Sequence, residues 1–400
     1  MTPEIKQRIE QIRRGEVPEG YKKGKLGIVP EEWNETSFST LFTSTSEYTD
    51  DLDKYPLYSL TIEDGVTPKT ERYERSHLVK KEDSYKIVRP NDYAYNPMNL
   101  RFGSVARHKG NLPVAVSGYY DIFTTVHKSD LPFMDSFLTC GPMITYYNRV
   151  STGSLVEKQR VHFSQFLEFV LPLPSINERA KIATILTTQD KVIKLKEKRL
   201  AEKQRQKKYL MHRFFVDANG KKIRLGQIAN VIMGQSPSST SYNEQMEGMP
   251  LIQGNGDIEG RNTHPRMYTT QPTKICKKGD ILISVRAPVG SVSRSSMNAC
   301  IGRGMCAVDA GIYQNYVYQY LIYFEDKWGK VSQGSTFESI SGDEIRKLKT
   351  LIPDNMQHIE KILSTADREI ELLQQDIEQE KQKKKALMQL LLTGIVRVKT

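Results

Sequence analysis

The chain has 400 residues, enough for two or three ordinary domains and too many for one core. Apolar residues make up 38% and charged residues 26%, which excludes a disordered chain; 58 Lys and Arg against 47 Asp and Glu leave +11, which points to a polyanionic partner, nucleic acid or an anionic membrane surface. Four cysteines (Cys140, Cys276, Cys300, Cys306) without CxxC spacing argue against a disulfide framework or zinc, and no apolar run has the length of a signal or spanning segment, so a cytoplasmic protein with reduced thiols is expected.

In chain order, residues 1–20 form a charged segment expected to be an N-terminal helix. Residues 21–175 are rich in Tyr, Thr, Ser, Gly and Val. Their short apolar runs, such as Tyr85-Lys86-Ile87-Val88 and Val114-Ala115-Val116, are broken at turn residues, which predicts antiparallel strands. Residues 176–215 have the Lys, Glu, Gln and Leu composition of a long helix with no Gly or Pro inside it. Residues 216–354 return to the β texture, as in Ile281-Leu282-Ile283-Ser284-Val285 and Met305-Cys306-Ala307-Val308, and residues 355–400 are helical again. Proline marks both helix entries, Leu171-Pro172-Leu173-Pro174 and Leu351-Ile352-Pro353, and Gly220 and Gly394 lie beyond their ends.

The two helical segments are copies. Aligned without gaps at an offset of 177, residues 182–215 and 359–392 share eleven identical pairs, among them Asp190/Asp367, Leu195/Leu372 and Lys207/Lys384. Leu186, Ile193, Leu200 and Phe214 fall in sevens, as do Leu363, Ile370, Ile377 and Leu391, with Lys207 and Lys384 at the same break in each ladder. Heptads ask for a helical partner, and each copy is the natural partner of the other, most simply antiparallel. A fainter repeat joins the β segments: Gly103-Ser104-Val105-Ala106-Arg107 matches Gly290-Ser291-Val292-Ser293-Arg294. The fold class expected is therefore α+β, two β-rich domains alternating with two long helices that pair as an antiparallel coiled coil, with pseudo-twofold symmetry. A helix of this length spans about 50 Å, comparable to the distance between half-sites read by a two-headed DNA binder.

Charge is uneven: residues 178–215 carry +8, whereas residues 21–177 carry −1. Within each β segment, however, one stretch lacks acids, residues 93–120 and residues 281–308. Arg and Ser in such a stretch suit phosphates, and Arg can take the O6/N7 edge of guanine while Gln or Asn takes adenine. The candidate DNA-binding residues are Arg101, Arg107, Lys109 and Tyr119 in the first segment. In the second they are Gln253, Asn255, Arg261, Arg286, Ser291, Arg294 and Arg303.

No nucleotide P-loop, dinucleotide fingerprint, HExxH or histidine cluster is found, so no catalytic, cofactor-binding or metal-ligating residue is expected. The tetrad Tyr95-Asn96-Pro97-Met98 lacks the second proline and the aromatic of an amino-methyltransferase motif. Non-catalytic readings remain: a DNA binder, or a coiled-coil scaffold whose two β-rich domains bind proteins or sugars.

Over essentially its whole length the chain resembles the specificity subunit of type I restriction-modification systems. The resemblance lies in Leu171-Pro172-Leu173-Pro174 leading into Ile176-Asn177-Glu178-Arg179, the twin helix starts at 185–190 and 362–367, the entry Gly27-Ile28-Val29-Pro30-Glu31-Glu32-Trp33, and Gly279-Asp280-Ile281-Leu282-Ile283. The stretch before the second helix departs from the family's usual proline pattern. The resemblance implies an N-terminal helix (1–20), target-recognition domains at 21–175 and 216–354, and spacer helices at 176–215 and 355–400. It further implies double-stranded DNA as ligand, with each domain reading half of a bipartite site. Partners would be two methyltransferase subunits carrying S-adenosylmethionine and two restriction subunits using ATP and Mg. The setting would be a prokaryotic, nucleoid-associated complex.

Overall fold

The computed structural model describes residues 2–69, 85–153, 159–328 and 339–398, and these divide into two compact units. One comprises Met1–Leu195 with Ile377–Thr400, the other Lys196–Asp376, so the division falls inside both long helices, Ile176–His212 and Met356–Leu392. The sequence-derived boundaries follow changes of texture, whereas compactness joins each β-rich region to the helix segments it packs on.

In the first unit a four-stranded sheet runs Val105–Arg107, Tyr93–Tyr95, Asp121–Thr125, Phe42–Thr45. Its core is aromatic: Phe123 stacks on Tyr93 with centroids 5.1 Å apart, and Phe42 and Phe166 close over it. Ile182, Ala183 and Leu186 of the first long helix and Leu391 and Leu392 of the second enter the same core. The N-terminal helix Pro3–Arg13 is tied to the end of the second long helix, because Arg8 donates to the Ile395 carbonyl (2.8 Å). Tyr21 donates to the Gly394 carbonyl (2.8 Å), and Arg397 joins Glu32 and the buried Glu178.

The second unit holds a six-stranded sheet, Asn230–Met233, Met305–Asp309, Ile281–Ser284, Val292–Arg294, Asn262–Thr263, Ile258–Glu259, and a five-stranded one containing Met249–Ile252 beside Ala299–Ile301. Ile281–Ser284 is wholly buried, which is why it reads as a continuous apolar run instead of an alternating one. Ile359 and Leu363 enter this core as Ile182 and Leu186 enter the other, 177 positions earlier.

Five of the eight residues of the heptad ladder, Leu186, Ile193, Leu363, Ile377 and Leu391, are buried, and Leu200, Phe214 and Ile370 are half-buried. The paired lysines that interrupt it also have a role. Lys384 meets Asp190 at 2.6 Å in the first unit, and Lys207 meets Asp367 in the second. Both pairs join residues identical between the copies, so the same lock is built once per unit with donor and acceptor exchanged between helices. Residues 189–190 lie against 380–384, and Lys196, Lys203 and Lys207 against Asp376, Glu369 and Asp367, so residue numbers fall along one helix as they rise along the other. Among the described residues no helix is long and apolar enough to cross a membrane.

Candidate nucleic-acid interface

The two acid-free stretches fold into the same device. Each is preceded by an aspartate whose carboxylate accepts a backbone N–H from three residues earlier, Arg89 N to Asp92 (3.3 Å) and Lys277 N to Asp280 (2.8 Å). A strand follows, then a loop closed by Asn96 N to Ser104 O (3.0 Å) or Ser284 N to Ser291 O (2.9 Å). Gly103 and Gly290 take positive φ (95° and 87°), and the return strands reach Arg107 and Arg294. Burial pushes the carboxyls of Asp92 and Asp280 above their ordinary range.

Strand register separates the candidate residues into two groups. In the first unit Tyr95 pairs with Val105 and Asp121, so the loop 96–104 and residues 119–120 leave one edge of the sheet. There Arg101 lies 4.6 Å over the Phe102 ring and donates to Gln159 (3.1 Å), while Phe102 (49% exposed) and Tyr119 (47%) face solvent. Arg107 sits at the opposite edge. It donates twice to Asp135 (2.9 and 2.8 Å) and once to Asn91 (2.6 Å), and its side chain is only 17% exposed. Lys109, itself exposed, lies 3.3 Å from the same carboxylate. Burial works against the charged form of Asp135, but the Arg107 hydrogen bonds and the Lys109 charge more than offset it, and its carboxyl titrates below the usual range.

The second unit divides the same way. Met233, Ser284 and Met305 end their strands at one edge, where the loops 234–236, 253–257, 285–291 and 302–304 meet. These loops are held backbone to backbone: Gln235 N to Ile301 O (2.9 Å), Gly302 N to Ile252 O (2.8 Å), and Val285 N to Gly304 O (2.9 Å). Arg286, Arg303 and Gln253 are exposed there and Asn255 is half-buried. Ser291 donates its N–H to Ser284 Oγ (2.9 Å), as part of the hairpin's lock. Arg261 and Arg294 stand at the opposite edge. Arg261 grips Glu325 with both terminal nitrogens (2.7 and 2.8 Å), and Arg294 lies 4.1 Å over the Tyr318 ring and donates to Asn315. Both line a groove of about 1440 Å³ beside Lys207 and Asp367.

The model of the type I restriction modification DNA specificity domain matches residues 219–382. The MjaX type I restriction enzyme specificity subunit of Methanocaldococcus jannaschii is 28% identical over 422 aligned residues, 96% of this chain and 98% of that one. Residues 219–382 thus carry a type I restriction modification DNA specificity domain, and over nearly its whole length the chain is similar to a type I specificity subunit. Its fold is shared with a chain from a structure of type I system assembly and conformational transition (TM-score 0.63, 20% identity, 92% of this chain and 99% of that one). The specificity subunit of M. genitalium superposes with a TM-score of 0.53 at 15% identity, over 92% and 97% of the two chains.

The match of residues 219–382 to a DNA specificity domain sharpens the geometry above. The two arginines of the repeated Gly-Ser-Val-x-Arg element, which the sequence offers as matched phosphate ligands, are engaged within their own domains. Arg107 is bound by Asp135 because that acid lies 28 positions away on the helix Leu131–Phe137, outside the acid-free stretch. Arg261 is likewise committed to Glu325, 64 positions away. By contrast Gln235, in the turn after Asn230–Met233, escapes sequence reading although it is exposed beside Gln253 and Arg303. Its only local signal is the Gly234-Gln235-Ser236-Pro237 turn.

Proposed function

We propose that each β-rich domain, within 21–175 and 216–354, reads one half of a bipartite site on double-stranded DNA. The long helices set the spacer and dock two methyltransferase subunits. S-adenosylmethionine belongs to those partners and supplies adenine methylation there; two restriction subunits supply ATP- and Mg-dependent cleavage. This chain contributes only position: which base pairs are bound and how far apart the halves lie. The observation that carries the reading is the doubled device, one strand-loop-strand and one Asp–Lys helix lock per unit, with different side chains on the two loop edges. A shared frame with differing heads suits two related but non-identical reading tasks.

Coexpression with the methyltransferase subunit of its own system, followed by mapping of N6-methyladenine across host DNA, tests the proposal. A bipartite motif with a fixed gap is the expected result. Absence of any motif overturns it and favours the scaffold reading.

A further inference from the structure

We infer that Gln235, Gln253 and Arg303 are the side chains with which the second domain reads base edges, an assignment that rests on the half-site reading proposed above. The three residues are far apart in sequence and belong to different loops, yet the fold brings those loops into backbone contact at one sheet edge. Gln235 N donates to Ile301 O, the residue before the 302–304 loop, and Arg303 N donates to Ser236 Oγ (3.1 Å). Glycines make the contact possible. A Cβ at Gly234 would stand 2.1 Å from the Gly302 carbonyl, and one at Gly304 would stand 2.3 Å from the Gln253 carbonyl. Gly302 faces the Gln253 Cα at 3.2 Å in the same way.

The loops are also fixed from behind. Asp257, only 5% exposed, accepts the Gln253 N–H (2.8 Å) and an Arg266 N–H (3.2 Å), and Thr273 donates to the Gln235 carbonyl. Backbones are thus locked while the three side chains are exposed and make no hydrogen bond or ion pair with another described side chain. A rigid support under free polar ends is what precise recognition requires.

The chemistry favours bases over phosphates. Two of the three groups are neutral primary amides, which gain little from a phosphate but match the N6/N7 edge of adenine bidentately, and the guanidinium matches O6/N7 of guanine. A phosphate-tracking surface would be dense in cations, and this edge sets two exposed arginines, Arg286 and Arg303, among neutral amides.

The test is the same methylation map, run with the complex carrying wild-type chain, Gln235→Ala, Gln253→Ala, Arg303→Ala or Arg303→Lys. Each substitution should relax discrimination about tenfold or more at one position of one half-site, and the other half-site, unchanged, reports that the complex still folds and assembles. Arg303→Lys should behave like Arg303→Ala, because lysine keeps the charge and loses the bidentate fork. An unchanged motif in all variants, or full rescue by lysine, overturns the assignment. So does uniformly weaker methylation with the motif intact, which marks phosphate contacts. A wild-type chain that leaves no motif overturns the half-site reading itself, and this assignment with it.

Discussion

Replacing Asp135 by alanine separates the structural from the DNA-contacting role of Arg107. Asp135 accepts two hydrogen bonds from Arg107 and one from Tyr93 (2.8 Å), and lies 3.3 Å from Lys109. After its removal Tyr93 keeps the Leu131 carbonyl (3.1 Å), Arg107 keeps Asn91, and the exposed Lys109 returns to water. What is stranded is one face of a guanidinium whose side chain is 17% exposed. Unpartnered buried groups cost ~1–3 kcal/mol each and a broken buried pair ~3–5, so partial exposure puts the loss at about 3 kcal/mol. The chain has two tryptophans, Trp33 and Trp328, one in each unit. In a Trp328→Phe background Trp33 alone therefore reports on the first unit. With a urea m-value near ~2 kcal/mol/M the midpoint should fall by about 1.5 M. Because the folded carboxyl is held below its ordinary value of 3.8, the pair stabilises above that pH, and the gap between wild type and variant should close as pH falls through the folded value. The methylation motif should not change. A loss below ~1 kcal/mol, which is the range of exposed pairs, or an altered half-site, refutes the reasoning.

Other expectations follow from single contacts. Gly234→Ala places a Cβ 2.1 Å from a carbonyl and should cost ~2 kcal/mol or more and weaken DNA binding, whereas Gly254→Ala, with nothing within 4 Å, should be nearly silent by thermal melting. Asp367→Asn should cost more in urea than Asp190→Asn, since Asp367 also holds the buried Gln319 (2.5 Å) and its lysine is 11% exposed against 29% for Lys384; equal losses contradict this. Burial raises the Asp280 carboxyl, so its folded state is favoured below the ordinary 3.8 and loses that advantage as pH rises through the folded value. Asp280→Asn should therefore be no less stable than wild type at pH 7, and lower melting temperatures there would count against it. Four residues inserted between 196 and 207 add about 6 Å of helix and should change the spacer of the methylation motif while sparing its halves.

What could be read from the sequence was what repetition and periodicity encode. Leu186 and Leu363 enter the two cores as the heptads and the 177-residue offset, properties of the chain itself, lead one to expect. The Lys207 and Lys384 breaks were visible too, but not their partners, which come from the opposite helix. The internal partners of Arg107 and Arg261 were hidden for a similar reason. Asp135 and Glu325 lie 28 and 64 positions away and reach Arg107 and Arg261 through the fold. Gln235 was hidden for the converse reason: nothing in Gly-Gln-Ser-Pro announces that Ile301 and Arg303 will close beside it.

The excess charge illustrates how far composition can mislead about an interface. Residues 178–215 hold +8 of the chain's +11, which invites the idea of a basic helix bound to DNA. Three of those lysines face acids of the second helix: Lys196 meets Asp376 at 2.8 Å, Lys203 meets Glu369 at 2.6 Å, and Lys207 meets Asp367. The repeat explains the arrangement. Were the second helix identical to the first, position 376 would carry the arginine of position 199 opposite Lys196. Divergence toward a basic first copy and acids at the facing positions of the second relieves that repulsion, while the doubled Asp–Lys lock keeps the register. Part of the basic helix is thus one half of an internal complement, and its charge does not by itself mark a DNA-binding face.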